Sequence, residues 1–142
     1  MNVSTRFTVA LHILTLLASQ PGEALTSEYI AGSVNTNPVF VRRLMGLLRN
    51  VGLVTSQPGQ RGGWELAADP ENISLADVRK AIEEGSPFSM HNQPPNPLCP
   101  VGRNIQGSLE TIYEKAERAL ENELARTTIK GLLRSVQARE RT

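Results

Sequence analysis

Asn37-Pro38-Val39-Phe40-Val41-Arg42-Arg43-Leu44-Met45-Gly46-Leu47-Leu48-Arg49-Asn50-Val51-Gly52 reads as a helix that carries its own start and stop signals. Asn37 is a good N-cap, because its side chain can accept from an orphan backbone N–H, and Pro38 suits the first helical position, where a missing N–H costs nothing. Turning about 100° per residue from Leu44 puts Val41, Met45, Leu48 and Val51 on one side, with Phe40 and Leu47 at its edge. The opposite side carries Val39, Arg42, Gly46 and Arg49, flanked by Arg43 and Asn50. Gly52 ends the helix as a C-terminal glycine does. Three arginines, Arg42, Arg43 and Arg49, thus face outward, and no acid opposes them. On amphipathicity alone this is a solvated helix face.

The flanking sequence changes that reading. After Gly52, the runs Leu53-Val54-Thr55-Ser56 and Trp64-Glu65-Leu66-Ala67 have β character and are separated by Pro58-Gly59-Gln60-Arg61-Gly62-Gly63. The spacing predicts a hairpin with a long glycine-rich tip, on which Gln60, Arg61 and Gly62 can approach another surface closely. Upstream, residues 26 to 33, beginning at Thr26, form a short helix, and Val34-Asn35-Thr36-Asn37 is a polar turn into the next. Helix, short turn, helix and hairpin in that order make a winged helix-turn-helix. An arginine-bearing helix can lie in the major groove of duplex DNA while an arginine on a flexible turn reaches phosphates or the minor groove beside it.

The order Phe40-Val41-Arg42-Arg43-Leu44, then Leu48-Arg49-Asn50-Val51-Gly52-Leu53-Val54, then Gly59-Gln60-Arg61-Gly62-Gly63-Trp64-Glu65-Leu66-Ala67, then Ile73-Ser74-Leu75-Ala76-Asp77-Val78 resembles the Rrf-two family of bacterial transcription regulators. The resemblance runs almost end to end, and its most specific piece is the Gly-Gly-Trp-Glu-Leu-Ala wing. It implies a homodimeric regulator on double-stranded DNA that is read from Asn37, Val39, Arg42, Arg43, Arg49 and Arg61; Thr26, Pro38, Phe40, Gln60 and Gly62 are expected to join them in DNA binding. Several relatives resemble one another in having an acid at position 42, so arginine there implies a different operator. Some members hold an iron–sulfur cluster through cysteines in a loop before a long dimerisation helix.

Composition bounds the remaining possibilities. A chain of 142 residues with 39% hydrophobic residues can form one domain plus an extension. No membrane span or signal peptide is visible: Phe7 to Ala18 is apolar in bulk, but Thr8, His12 and Thr15 interrupt it, as in a buried helix, with His12 a packed helix residue. One cysteine makes an intrachain disulfide impossible and fits a reducing cytoplasm. The net charge of +1 says little about nucleic acid. Residues 1–68 hold five arginines against three glutamates, and the remainder ten basic against eleven acidic side chains, so any DNA surface lies in the first half.

Downstream, Asp69 to Asn72 is a turn, and Ser74 with Asp77 is close to a capping box for a short helix ending by Gly85 that supports the wing. From Ser86 to Pro100 five prolines make regular structure improbable. Gly102 then opens a long helix on which Ile105, Leu109, Ile112, Ala116, Ala119 or Leu120, and Glu123 or Leu124 recur in alternating four- and three-residue steps, a coiled-coil-like seam. Such a stripe has more apolar surface than a small domain can cover, which favours a partner helix. A final helix from Thr127 or Thr128 to about Arg139 folds back or swaps onto the partner. The expected class is mainly α with a small β-hairpin: a DNA-binding domain over residues 1–84, a proline-rich sensing loop over 85–100, and dimerisation helices over 101–142.

Cys99 stands alone in that loop, with Gln93, Pro94 and Ile105 near the positions where the resemblance would place further cysteines. A conventional cluster takes about four protein ligands, so no iron–sulfur cofactor and no metal is expected. His91 is at a loose spacing and reads as a solvated loop residue. Two readings of Cys99 stand: a small apolar residue tucked under the loop, or a redox-sensing thiol at a helix N-terminus where the dipole favours thiolate. An enzyme is not indicated, since no nucleophile has a base partner and Gly59 to Gly63 lacks the lysine continuation of a phosphate loop. A winged helix that binds another protein remains the alternative to DNA, because such folds also serve as interaction modules.

Overall fold

The computed structural model describes residues 4–60, 62–82 and 84–142. Its contacts fall into two compact units: the described residues up to Glu84 together with Leu124–Thr142, and Gly85–Glu123.

In the first unit, α1 (Arg6–Ser19) buries Ala10, Ile13, Leu14 and Leu17. α2 (Ser27–Val34) begins where the Thr26 side chain accepts from Tyr29 N–H. It ends at Asn35, whose φ of 65° is the left-handed conformation that asparagine tolerates, and Asn35 N–H returns to Ala31 O. That sharp stop turns the chain into α3 (Pro38–Asn50), where the Asn37 side chain accepts from Phe40 N–H as the cap signal requires. Val41, Leu44, Met45 and Leu48 are fully buried, and Phe40 and Leu47 sit at the edge of the core. Val51 departs from the predicted core side: the helix stops before it, Gly52 takes a φ of 79°, and Val51 is left exposed.

The hairpin is antiparallel, β1 (Val54–Gln57) against β2 (Gly63–Leu66), with Ser56 opposite Trp64. Leu25 adds a bridge on the outer side of Trp64, donating to its carbonyl and accepting from its N–H at 2.9 and 2.7 Å. Gly63 permits this approach: a Cβ there would lie 2.5 Å from Leu25 O. Asp69 caps a 3-10 turn over Pro70–Asn72, and Ser74 and Asp77 form the full capping box of α4 (Leu75–Ala81). α4 packs chiefly on α1 and α3, not under the wing as the sequence suggested, because Val78, Ala81 and Ile82 point into the helical core.

α6 (Ile129–Glu140) belongs to this unit. It packs on α1, buries Ile129 and Leu133, and is tied by Leu75 N–H to Thr127 O and Ile129 N–H to Ile73 O. An open apolar groove of about 590 Å³ runs between α1 and α6, lined by Leu11, Leu16, Leu132, Leu133 and Val136, with His12 and Ser33 hydrogen-bonded at its rim. His12 is therefore exposed rather than packed inside.

The second unit is a loop and a long helix. α5 (Pro100–Leu124) starts two residues before the predicted Gly102 and buries no residue fully. Phe88 from the loop stacks on Tyr113 of α5 at 4.6 Å, so part of the proline-rich stretch is ordered against the helix. The fold is thus mainly helical: among the described residues, six α-helices and one two-stranded hairpin. Among them no helix is long and apolar enough to cross a membrane.

Candidate nucleic-acid interface

The two sides of α3 are sorted by environment. Its apolar side closes the core, and the other side presents Val39, Arg42, Arg43 and Arg49 to solvent between α2 and the hairpin. Arg42 and Arg49 are seven residues apart, close to two helical turns, so they share one stripe about 10 Å long.

Each arginine has a distinct setting. Arg42 is held by α2: its Nη2 donates to Glu28 Oε1 at 2.7 Å. An acid does therefore oppose the arginine face, and it comes from the neighbouring helix, where the α3 pattern could not reveal it. With the side chains 51% and 66% exposed, the pair is displaceable; ion pairs of this kind contribute roughly 0–1 kcal/mol. Arg49 lies on the hairpin side, its guanidinium carbon 5.6 Å from the centre of the Trp64 ring. Trp64 is itself fixed, donating from Nε1 to the buried Ser27 Oγ at 3.2 Å. One indole thereby joins the first turn of α2, the base of the wing and Arg49. Arg43, between them, is exposed, and no ion pair is formed by it among the described residues.

The remaining predicted residues divide into groups. Thr26 and Asn37 are exposed and spend one side-chain lone pair each on capping. Pro38 and Phe40 are half-buried, and Phe40 packs against the core at the helix start. Val39 is 61% exposed beside the cap. Gln60 is exposed at the hairpin tip and Gly62 closes the turn by donating to Gly59 O, while Arg61 lies outside the described residues. Glu28, Ser27 and Trp64 escaped the sequence reading as parts of the site, since their partners lie 14 and 37 residues away.

Cys99 belongs to the second unit. It is exposed, which overturns the reading of a small apolar residue tucked under the loop. The reason is local: Cys99 N–H donates to Asn96 O and Cys99 O accepts from Arg103 N–H, turning the residue outward at the start of α5. Backbone hydrogen bonds from Gly102, and then from Val101, hold its thiol below the usual cysteine range, against a small opposing desolvation. His91 is an exposed loop residue. The apolar seam of α5 is half-buried at Ile105, Leu109, Ala116, Leu120 and Leu124, and Ile112 is 58% exposed.

Comparison with known proteins adds identity to this geometry. Residues 3–135 match the family described as Rrf2, iron-dependent transcriptional regulator. The chain is 42% identical over 131 residues to YwnA of Bacillus subtilis, described as an HTH-type transcriptional regulator, covering 92% of this chain and 96% of that one. A crystal structure described as that of a DNA-binding protein superposes with a TM-score of 0.73 at 41% identity, over 90% of this chain and 98% of the other. The oxidised form of CymR from Staphylococcus aureus gives a TM-score of 0.70 at 27% identity, over 94% and 96%. Iron enters that family description, but the donors here do not fit a conventional cluster. A cluster needs about four protein ligands, the sequence offers one cysteine, and among the described residues no three His, Cys, Asp or Glu side chains are grouped to hold a metal.

Proposed function

This chain belongs to the Rrf2 family of DNA-binding transcriptional regulators, not to an enzyme family, and on that premise we propose that it acts in the cytoplasm as a homodimeric repressor of an inverted-repeat operator. The observation that carries this reading is the exposed arginine stripe of α3, framed by α2 and the wing, over a fully buried opposite side. In the complex, Arg42 and Arg43, with Asn37 and Val39, meet base edges in the major groove, and Arg49 meets phosphate. Gln60, Arg61 and Gly62 of the wing tip approach the backbone or minor groove alongside, and Thr26 contacts the strand from the start of α2.

This assignment calls for two-fold pairing, because one reading helix spans only a few base pairs. The surfaces available for a second copy are apolar: the seam from Ile105 to Leu124, which α5 leaves without a fully buried residue, and the groove between α1 and α6. Residues 101–142 act on this reading as dimerisation helices and residues 85–100 as a sensing loop. Exposure of Cys99 and the lowered pKa of its thiol favour an oxidant or electrophile as the signal. No iron–sulfur cofactor takes part.

The test is binding of the purified chain to duplex DNA from its own upstream region across a salt series, with and without diamide. The expected result is an affinity that falls steeply with salt, by a log–log slope of about −0.9 per phosphate contacted, and that changes on oxidation in the native chain but not in Cys99→Ser. Salt-insensitive binding to a protein partner, with none to duplex DNA, would move the assignment to an interaction module.

A further inference from the structure

We infer that Glu28 is a positioning residue for base recognition, holding the Arg42 guanidinium at the angle from which it reads DNA. The inference rests on the reading of Arg42 given above. Glu28 stands in the first turn of α2, which is fixed at this end by the Thr26 cap and by Trp64 Nε1 on Ser27. Its Oε1 receives one N–H of Arg42 from across the turn at 2.7 Å. A guanidinium has five N–H donors in a rigid plane, so a carboxylate can hold one edge while another edge stays free for the two acceptors of a guanine.

Two consequences pull in opposite directions. Fixing a long exposed side chain before binding removes part of the ordering cost that recognition would otherwise carry, and so sharpens discrimination. A carboxylate beside a phosphate-lined groove also repels DNA of every sequence. Glu28 therefore exchanges general affinity for selectivity. A merely structural ion pair predicts a different pattern on removal, a loss of affinity and selectivity together.

The experiment is selection of bound duplexes from a randomised pool by the full-length protein, its Glu28→Ala and Arg42→Ala variants and the double variant, with affinities for random duplex measured in parallel. Glu28→Ala is expected to weaken preference by roughly two- to fivefold, the most that an exposed ion pair of this kind can hold in place, and only at the base pair that Arg42→Ala also relaxes. It should bind random duplex as tightly as the native protein or more so, and add nothing in the double variant. A relaxed Arg42→Ala beside an unchanged Glu28→Ala overturns the positioning role alone. An unchanged Arg42→Ala removes Arg42 from the reading set and the positioning role with it. Equal loss of specific and random binding in Glu28→Ala assigns the pair to fold maintenance and also overturns the inference.

Discussion

Arg42, Arg43 and Arg49 occupy one helix face, yet their neighbours give them different settings. Arg42 is held from α2 by Glu28; on the proposed base-reading role, Arg42→Ala should relax discrimination at one base pair by roughly 1–3 kcal/mol, checked by titrating single-substitution operator variants. Arg49 rests against the indole of Trp64 on the wing side. Its replacement by alanine should weaken binding equally across sequences and reduce the salt slope by about 1, whereas a changed base preference would place it among the reading residues. Cys99 makes a separate prediction. Because N–H groups of Gly102 and Val101 stabilise its thiolate, the pH profile of its alkylation should rise at lower pH than that of an unstructured peptide cysteine. A midpoint at or above the peptide's would contradict the geometry at the start of α5.

At the level of elements, α3 was legible almost whole in its sequence. The Asn37 cap, Pro38, the buried Val41, Leu44, Met45 and Leu48 and the closing Gly52 are local signals with local causes. The same holds for the capping box of Ser74 and Asp77. What the sequence hid depends on long-range contact: the carboxylate across from Arg42, the tryptophan bonded to Ser27, and the side of α4 that turned to α1 and α3 rather than to the wing. The exposure of Cys99 was hidden for a related reason, since a turn closed on Asn96 decides it. Asn37→Ala should cost about 0.5–2 kcal/mol of stability in denaturant unfolding, the usual effect of losing such a cap. Gly63→Ala should do more local damage. Its Cβ would meet the Leu25 backbone, so the bridge to Trp64 should open and tryptophan fluorescence shift towards that of a solvated indole, while the helical signal in circular dichroism is kept.

For the whole molecule, α6 returns onto α1 within the first unit, and on the proposed pairing the seam of α5, which buries no residue fully, takes a second copy. Ile112→Asp should therefore convert the particle to a monomer in sedimentation and weaken operator binding, while each isolated reading head keeps its fold. The central claim, an arginine face of α3 turned to a DNA groove and repeated by two-fold pairing, is tested most directly by hydroxyl-radical footprinting of the native protein on its own upstream region. Two protected half-sites on one face of the duplex are predicted, centred about one helical turn of 10 base pairs apart or a multiple of it, and both should be lost together in Arg43→Ala. A single protected patch, or protection unchanged by that substitution, would contradict it.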